Sequence, residues 1–208
     1  MKKTIIPIFF LSTTCTYAAT VVSFVFDTSA NSINGNEVLA DAHKAAIDGQ
    51  TTATAFSLND IVSGLILTIT PSQSDISYTN TGLGVTSGGT LADAGDALTF
   101  SFNKAVSLDF LDVGGFTGSG QAGEDAVSIS YSNGNATINL VGGDFDNNTS
   151  DTIAFSSGNT LAANESFTIS RTDGSFSIEG FNVTAVPEPT SSALFGLGGL
   201  ALLLRRRK

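Results

Sequence analysis

The chain of 208 residues holds one cysteine, one histidine and no tryptophan. Each shortage closes a class of chemistry. Cys15 sits in an N-terminal stretch expected to be removed, which leaves the mature protein without disulfides or thiol chemistry. An oxidising compartment permits disulfides but does not oblige a domain with a sufficient core to use them. His43 alone, with no cysteine cluster, cannot supply the several ligands a zinc site needs. A GxSxG elbow is also missing, and His43 has no recognisable nucleophile to serve.

Positive charge is equally scarce, with 9 Lys and Arg against 19 Asp and Glu. Two of the basic residues open the chain and four close it, so only Lys44, Lys104 and Arg171 remain in between. A body this acidic repels nucleic acid and anionic lipid and favours solubility and cation binding. Nucleic acid is excluded as a partner.

What is present is β structure. The runs at 20–26, 64–70, 97–102, 105–110, 126–131, 136–141, 151–156, 166–170 and 176–183 are short. They are rich in Phe, Val, Ile and Thr, and Gly, Asn, Asp and Ser clusters divide them. Leu98, Phe100 and Phe102 alternate with Thr99 and Ser101, and Val127, Ile129 and Tyr131 repeat the device. Such alternation puts one face on a core and the other in water. The pattern predicts an all-β, antiparallel, jelly-roll-like β-sandwich, with Tyr131 in its core. In the last run Phe176 and Ile178 set an inward face, yet the bulky residues resume at Phe181 and Val183. A bulge at Glu179-Gly180 would restore the register. Ser132-Asn133-Gly134-Asn135 supplies an Asn-Gly hairpin.

Residues 34–50 predict one short helix at the edge. Asn34 and Glu37 have the spacing of a capping box, and Gly49 suits the helix end. Val38, Leu39, Ala42, Ala46 and Ile47 form its expected inner side, with His43 as an ordinary helix residue.

Three further features invite a chemical reading. Gly118, Gly120 and Gly123 follow a GxGxxG order, but Glu124-Asp125 and a strand come next where a phosphate-binding helix should start. Asp144, Asp146 and Asn148, with Asp151 nearby, copy the alternate oxygen ligands of a calcium loop. Thr149 stands where the turn glycine belongs and Phe155 where the closing glutamate belongs, and Asx-rich turns give the same composition. Calcium therefore stays open, and no cofactor is expected. Of the two tyrosines of the mature chain, Tyr78 is the one outside the predicted core that a sugar could stack on. Carbohydrate binding is thus the alternative to a non-catalytic structural or adhesive role. A glycoside-active enzyme, needing only two carboxylates, ranks below both, because the acids occur in turns.

The ends say most. MKKTIIPIFFLSTTCTYAA has Lys2 and Lys3, an apolar stretch from Ile5 to Leu11, then small residues Thr16 and Ala18. That order predicts a signal peptide over residues 1–18, cut by signal peptidase after Ala18. Ser12 replaces the leucine that a lipidated cysteine would need three residues ahead of Cys15. At the other end, Ala193 to Leu204 is uncharged. As a helix this run spans about 18 Å, against a hydrocarbon core of about 30 Å. Thr190 to Ser192 and the long stems of Arg205 and Arg206 extend its reach. Arg205, Arg206, Arg207 and Lys208 hold that end in the cytoplasm, and Lys2 and Lys3 demand the same side. Everything between is expected to be exported.

Pro187-Glu188-Pro189, preceded by Val186 and followed by a Gly-rich apolar run and a basic cluster, resembles the PEP-CTERM sorting signal of Gram-negative bacteria. All three parts stand in order over residues 186–208. The resemblance implies a membrane-embedded cysteine protease-transpeptidase, exosortase, as partner. It implies a cut near the motif and transfer of the body, residues 19–185, to the cell surface, the extracellular matrix or extracellular polysaccharide. Before that step the C-terminal helix would hold the chain in the inner membrane.

Overall fold

The computed structural model describes residues 20–26, 41–57, 64–85, 88–115, 125–144, 151–155 and 159–186. Among them lie one helix, α1 (Asp41–Ile47), and the strands β1 (Thr20–Val25), β2 (Thr54–Ser57), β3 (Ile66–Pro71) and β4 (Ile76–Thr79). Next come β5 (Gly82–Val85), β6 (Ala97–Phe102), β7 (Val106–Gly114), β8 (Ala126–Tyr131) and β9 (Ile138–Val141). The series ends with β10 (Asp151–Ala154), β11 (Thr160–Leu161), β12 (Ser166–Asp173) and β13 (Ser177–Ala185). The described chain is all-β and antiparallel apart from α1, as its alternation predicts.

Two sheets form. One runs β2-β3-β6-β12-β8-β9. In the other, β13 has β7 along one side and β1 and β5 along the opposite side, while β10 and β11 share the outer edge of β7. Phenylalanines join the two sheets. The Phe181 ring on β13 lies 4.9 Å from Phe100 on β6 and 5.3 Å from Phe167 on β12, nearly perpendicular to the latter. It also meets Phe24 of β1 at 4.7 Å and the neighbouring Phe26 at 5.7 Å. Edge-to-face pairs add roughly 0.5–1.5 kcal/mol to what area burial alone contributes.

The bulge falls where the alternation breaks. Ile178 pairs with Val113 and Gly180 with Asp112, so Glu179 is the extra residue. Phe176, Ile178, Phe181 and Val183 are consequently all buried. A second register shift, between Asn182 and Val183, has no signature in the sequence. The Asn-Gly turn joins β8 to β9 with Gly134 at φ 81°, but Ile129 pairs with Ile138, so the connection is longer than a two-residue hairpin.

α1 ends as expected, with Gly49 at φ 74° donating its N–H to Ile76 O at 2.8 Å. Ile47 is buried, but Ala46 is exposed, contrary to the expected inner face. A helix this short rests on β2 and β4, and the buried side it offers there is Ile47. Asn34, Glu37, Val38 and Leu39 lie outside the described residues, as do the side chains of Ala42 and His43.

Tyr131 is a core residue, and its hydroxyl reaches Asn159 Oδ1 at 3.2 Å. Burial pushes the phenol up to about 12 from its ordinary 10.0. The neutral form is therefore favoured in the folded state. Its contribution is complete below pH 10 and is lost as the pH rises towards about 12. Two units correspond to at most about 2.7 kcal/mol. Tyr131→Phe is expected to cost ~1–2 kcal/mol at neutral pH, by stranding the Asn159 carbonyl, and to flatten the loss of stability between pH 10 and 12. Urea unfolding of both proteins across that range checks this; parallel pH profiles would contradict it.

Candidate functional site: the end of β13 and the start of β1

β13 carries the body to the edge of the motif. Ala185 pairs with Val106 of β7 on one side and with Thr20 of β1 on the other. Val186 then donates its N–H to Ala105 O at 2.9 Å. The next residue, Pro187, has no N–H to donate, so this ladder cannot run on through it. Between the folded sheet and the Pro-Glu-Pro triplet there is no spacer.

The start of β1 lies alongside. Thr20, two residues beyond Ala18, faces Ala185 in the register, and the pairing runs on from Val21↔Thr184 to Val25↔Gly180. The first strand after the expected signal-peptide cut is thus zipped to the last strand before the motif. Ala18, Pro187, Glu188, Pro189, Arg205, Arg206, Arg207 and Lys208 themselves lie outside the described residues. Among the described residues, no helix is long and apolar enough to cross a membrane.

The remaining candidates are dispersed. Tyr78, on β4, is not an open platform: the Lys44 Nζ sits 5.0 Å from its ring centroid, and Phe26 meets the ring at 5.9 Å in a T-shaped pair. Its backbone N–H is held by Asp48 Oδ1 at 2.8 Å. Nothing in the sequence signals that Lys44 and Asp48 of the α1 region enclose this tyrosine, since the contact depends on where α1 docks. Asp144 closes the short 3₁₀ turn Gly142–Asp144, accepting the Val141 N–H at 2.9 Å. Asp151 opens β10 opposite Val113, while Asp146 and Asn148 lie outside the described residues, as does the GxGxxG loop. Among the described residues no group of three or more His, Cys, Asp and Glu is placed to hold a metal ion.

Two buried carboxylates serve the turns. Asp96 Oδ2 accepts the N–H groups of Ala92 and Asp93, both at 2.9 Å. Asp125 Oδ1 accepts the Ser175 N–H at 2.7 Å, clasping the β12–β13 turn. At its tip Gly174 has φ 67°, and a Cβ there would fall 1.4 Å from Asp125 Oδ1. The turn therefore needs glycine both for its backbone and for the room.

No curated protein and no solved structure matches the chain. Residues 185–208, which begin at the last residue of β13, match the family model of the PEP-CTERM protein-sorting motif, and the chain carries that motif at its end.

Proposed function

We propose that the protein is an exported, acidic, non-catalytic module. Its body, residues 19–185, is a jelly-roll-like β-sandwich delivered to the cell surface or extracellular matrix by its C-terminal signal. Signal peptidase removes residues 1–18. The apolar run from Ala193 and the basic end from Arg205 then hold the chain in the inner membrane. An exosortase-like enzyme cuts near Pro187-Glu188-Pro189 and hands on the body. The body acts as a structural or adhesive component of a polysaccharide-rich surface.

One observation carries this reading: the sorting motif begins where the sheet stops. The body and its signal meet without a second folded unit between them. The engagement of Asp96 and Asp125 in turns, and of the Tyr78 ring with Lys44, supports a structural role over catalysis or sugar stacking. A chain stopped after Val186 keeps every described strand, and is expected to be exported and folded but to appear in soluble fractions. Cell fractionation decides. Retention at the surface in wild-type amounts would overturn the reading.

A further inference from the structure

The pairings sort the turns onto two ends of the body. Ala185 pairs with Val106 at the start of β7, and the turn 103–105 leads back to Phe102. The Phe102 carbonyl accepts the Asn164 N–H at 2.7 Å, and Ser132 donates to Ser166 O at 3.0 Å. Asn103 fastens the start of β3, donating to Gly64 O at 2.8 Å and accepting from the Ile66 N–H at 2.7 Å. The turns around residues 64, 104, 134 and 164 therefore share the end where β1 starts and β13 stops. The opposite end is tied just as firmly. Leu91 bridges to Phe176, Arg171 donates its backbone N–H to Asp96 O at 3.0 Å, and Gly142 donates to Asp125 O at 3.1 Å.

Chemistry divides the same way. Among the described residues the far end carries Asp75, Asp93, Asp96, Asp125, Asp144 and Asp173 in its turns and strand ends, against one cation, Arg171, 3.9 Å from Asp173. Among the described residues the near end has Glu165, whose carboxylate is held by the Ala162 N–H at 2.7 Å, and Lys104. Of the four exposed large hydrophobics among the described residues, three lie at the near end: Val21 at 49%, Ile66 at 37% and Val186 at 38%. Val21 on β1 and Val186 just past β13 belong to one sheet and Ile66 opens β3 in the other, so both sheets offer an exposed apolar side chain at this end.

We propose that this near end, with Val21, Ile66, Lys104 and Val186, is the surface the body turns to the lipid bilayer while the tail still holds it. The inference rests on the tail being a membrane tether. From Val186 to the start of the apolar run at Ala193 is seven residues, which span at most about 25 Å when extended. β7 is nine residues long, about 30 Å, so a body on such a tether can stand on end or lie down. The valines and the isoleucine gain by entering the headgroup boundary, and the acid-rich end is repelled by anionic lipid. Both terms favour standing. The body's overall negative charge opposes membrane contact only on average, because among the described residues six carboxylates lie at the far end and Glu165 alone is placed at the near one.

The signal-cleaved form with its tail intact has no cysteine, since Cys15 leaves with the signal peptide. Exposed Ala136 and Ala163 at the near end and Ala94 at the far end can each be changed to cysteine, labelled with a fluorophore and reconstituted into phosphatidylethanolamine–phosphatidylglycerol vesicles carrying a lipid-bound quencher. Quenching at 136 and 163 is expected to exceed that at 94 by at least about threefold. Adding Val21→Glu and Ile66→Glu should abolish most of that difference without releasing the protein. Equal quenching at the three positions in protein that floats with the vesicles, or a difference untouched by the two glutamates, would overturn the orientation alone. Failure to float would overturn the tether, and the orientation with it.

Discussion

Glu188→Ala is expected to leave the body folded and most of the chain uncut in the membrane fraction. The last described hydrogen bond of the β13 ladder is at Val186, and Glu188 follows two residues on, past a proline with no N–H to donate, so its substitution is expected to leave the sheet intact. Substitutions of that kind shift stability by no more than about 0.5 kcal/mol. Recognition is another matter. Between Pro187 and Pro189, whose rings fix φ and remove two donors, Glu188 is the one charge within the triplet that a protease pocket can grip. Removing one partner of a desolvated, hydrogen-bonded charge pair costs ~2–5 kcal/mol. At about 1.4 kcal/mol per tenfold, processing should slow by roughly 30-fold or more. Glu188→Asp should fall between, since it keeps the charge and shortens the reach. A pulse–chase gel of the three proteins, with thermal melts of each, separates recognition from folding. Wild-type processing of Glu188→Ala would count heavily against the sorting mechanism.

Phe181→Ala should produce the largest loss of stability of any single change considered. The ring is fully buried and meets phenylalanines of both sheets: Phe24 at 4.7 Å on its own side, Phe100 at 4.9 Å and Phe167 at 5.3 Å across the core. Truncating a phenylalanine in such a place costs ~3–5 kcal/mol through lost transfer energy and the cavity left behind. That is a large part of the ~5–15 kcal/mol that holds a domain together, and it corresponds to a fall in Tm of about 6–20 °C. Phe181→Leu fills most of the space and should cost less than half as much. Urea unfolding of the processed protein measures both. A loss below about 1 kcal/mol for the alanine variant would mean that the two sheets are not held together through this ring.

Much of the fold was legible because half-buried strands write their burial into the sequence. β6 and β8 alternate cleanly, and their ends fall where the pattern starts and stops. The pattern fails where both faces are covered. Gly82, Leu83, Gly84 and Val85 of β5 are all buried, so nothing alternates. A Cβ on Gly84 would lie 2.4 Å from the backbone of Thr90, because the segment after β5 folds across it. The last four residues of β7 are likewise all buried, and they lie beyond the expected strand end at Phe110. β2, β4 and β11 are too short for a period to declare itself.

The candidate site was legible to a different degree in each half. The motif is linear, and its order of proline pair, apolar run and basic end can be read without a fold. Its position beside the start of β1 could not be. That depends on Thr20 pairing with Ala185, a contact between opposite ends of the chain that no local pattern encodes. The division of charge between the two ends of the body is hidden for the same reason, since the direction of each strand decides where each turn lies.

Export and sorting are both recorded in what happens to the two ends of the chain. Intact mass spectrometry of the wild-type protein, recovered separately from the cell envelope and from the medium, reads both at once. The expected product begins at Ala19, ends near Pro187-Glu188-Pro189, and carries any group added at the cut. A single species of all 208 residues, or one trimmed at its start but still bearing the arginines in the surface fraction, would contradict it.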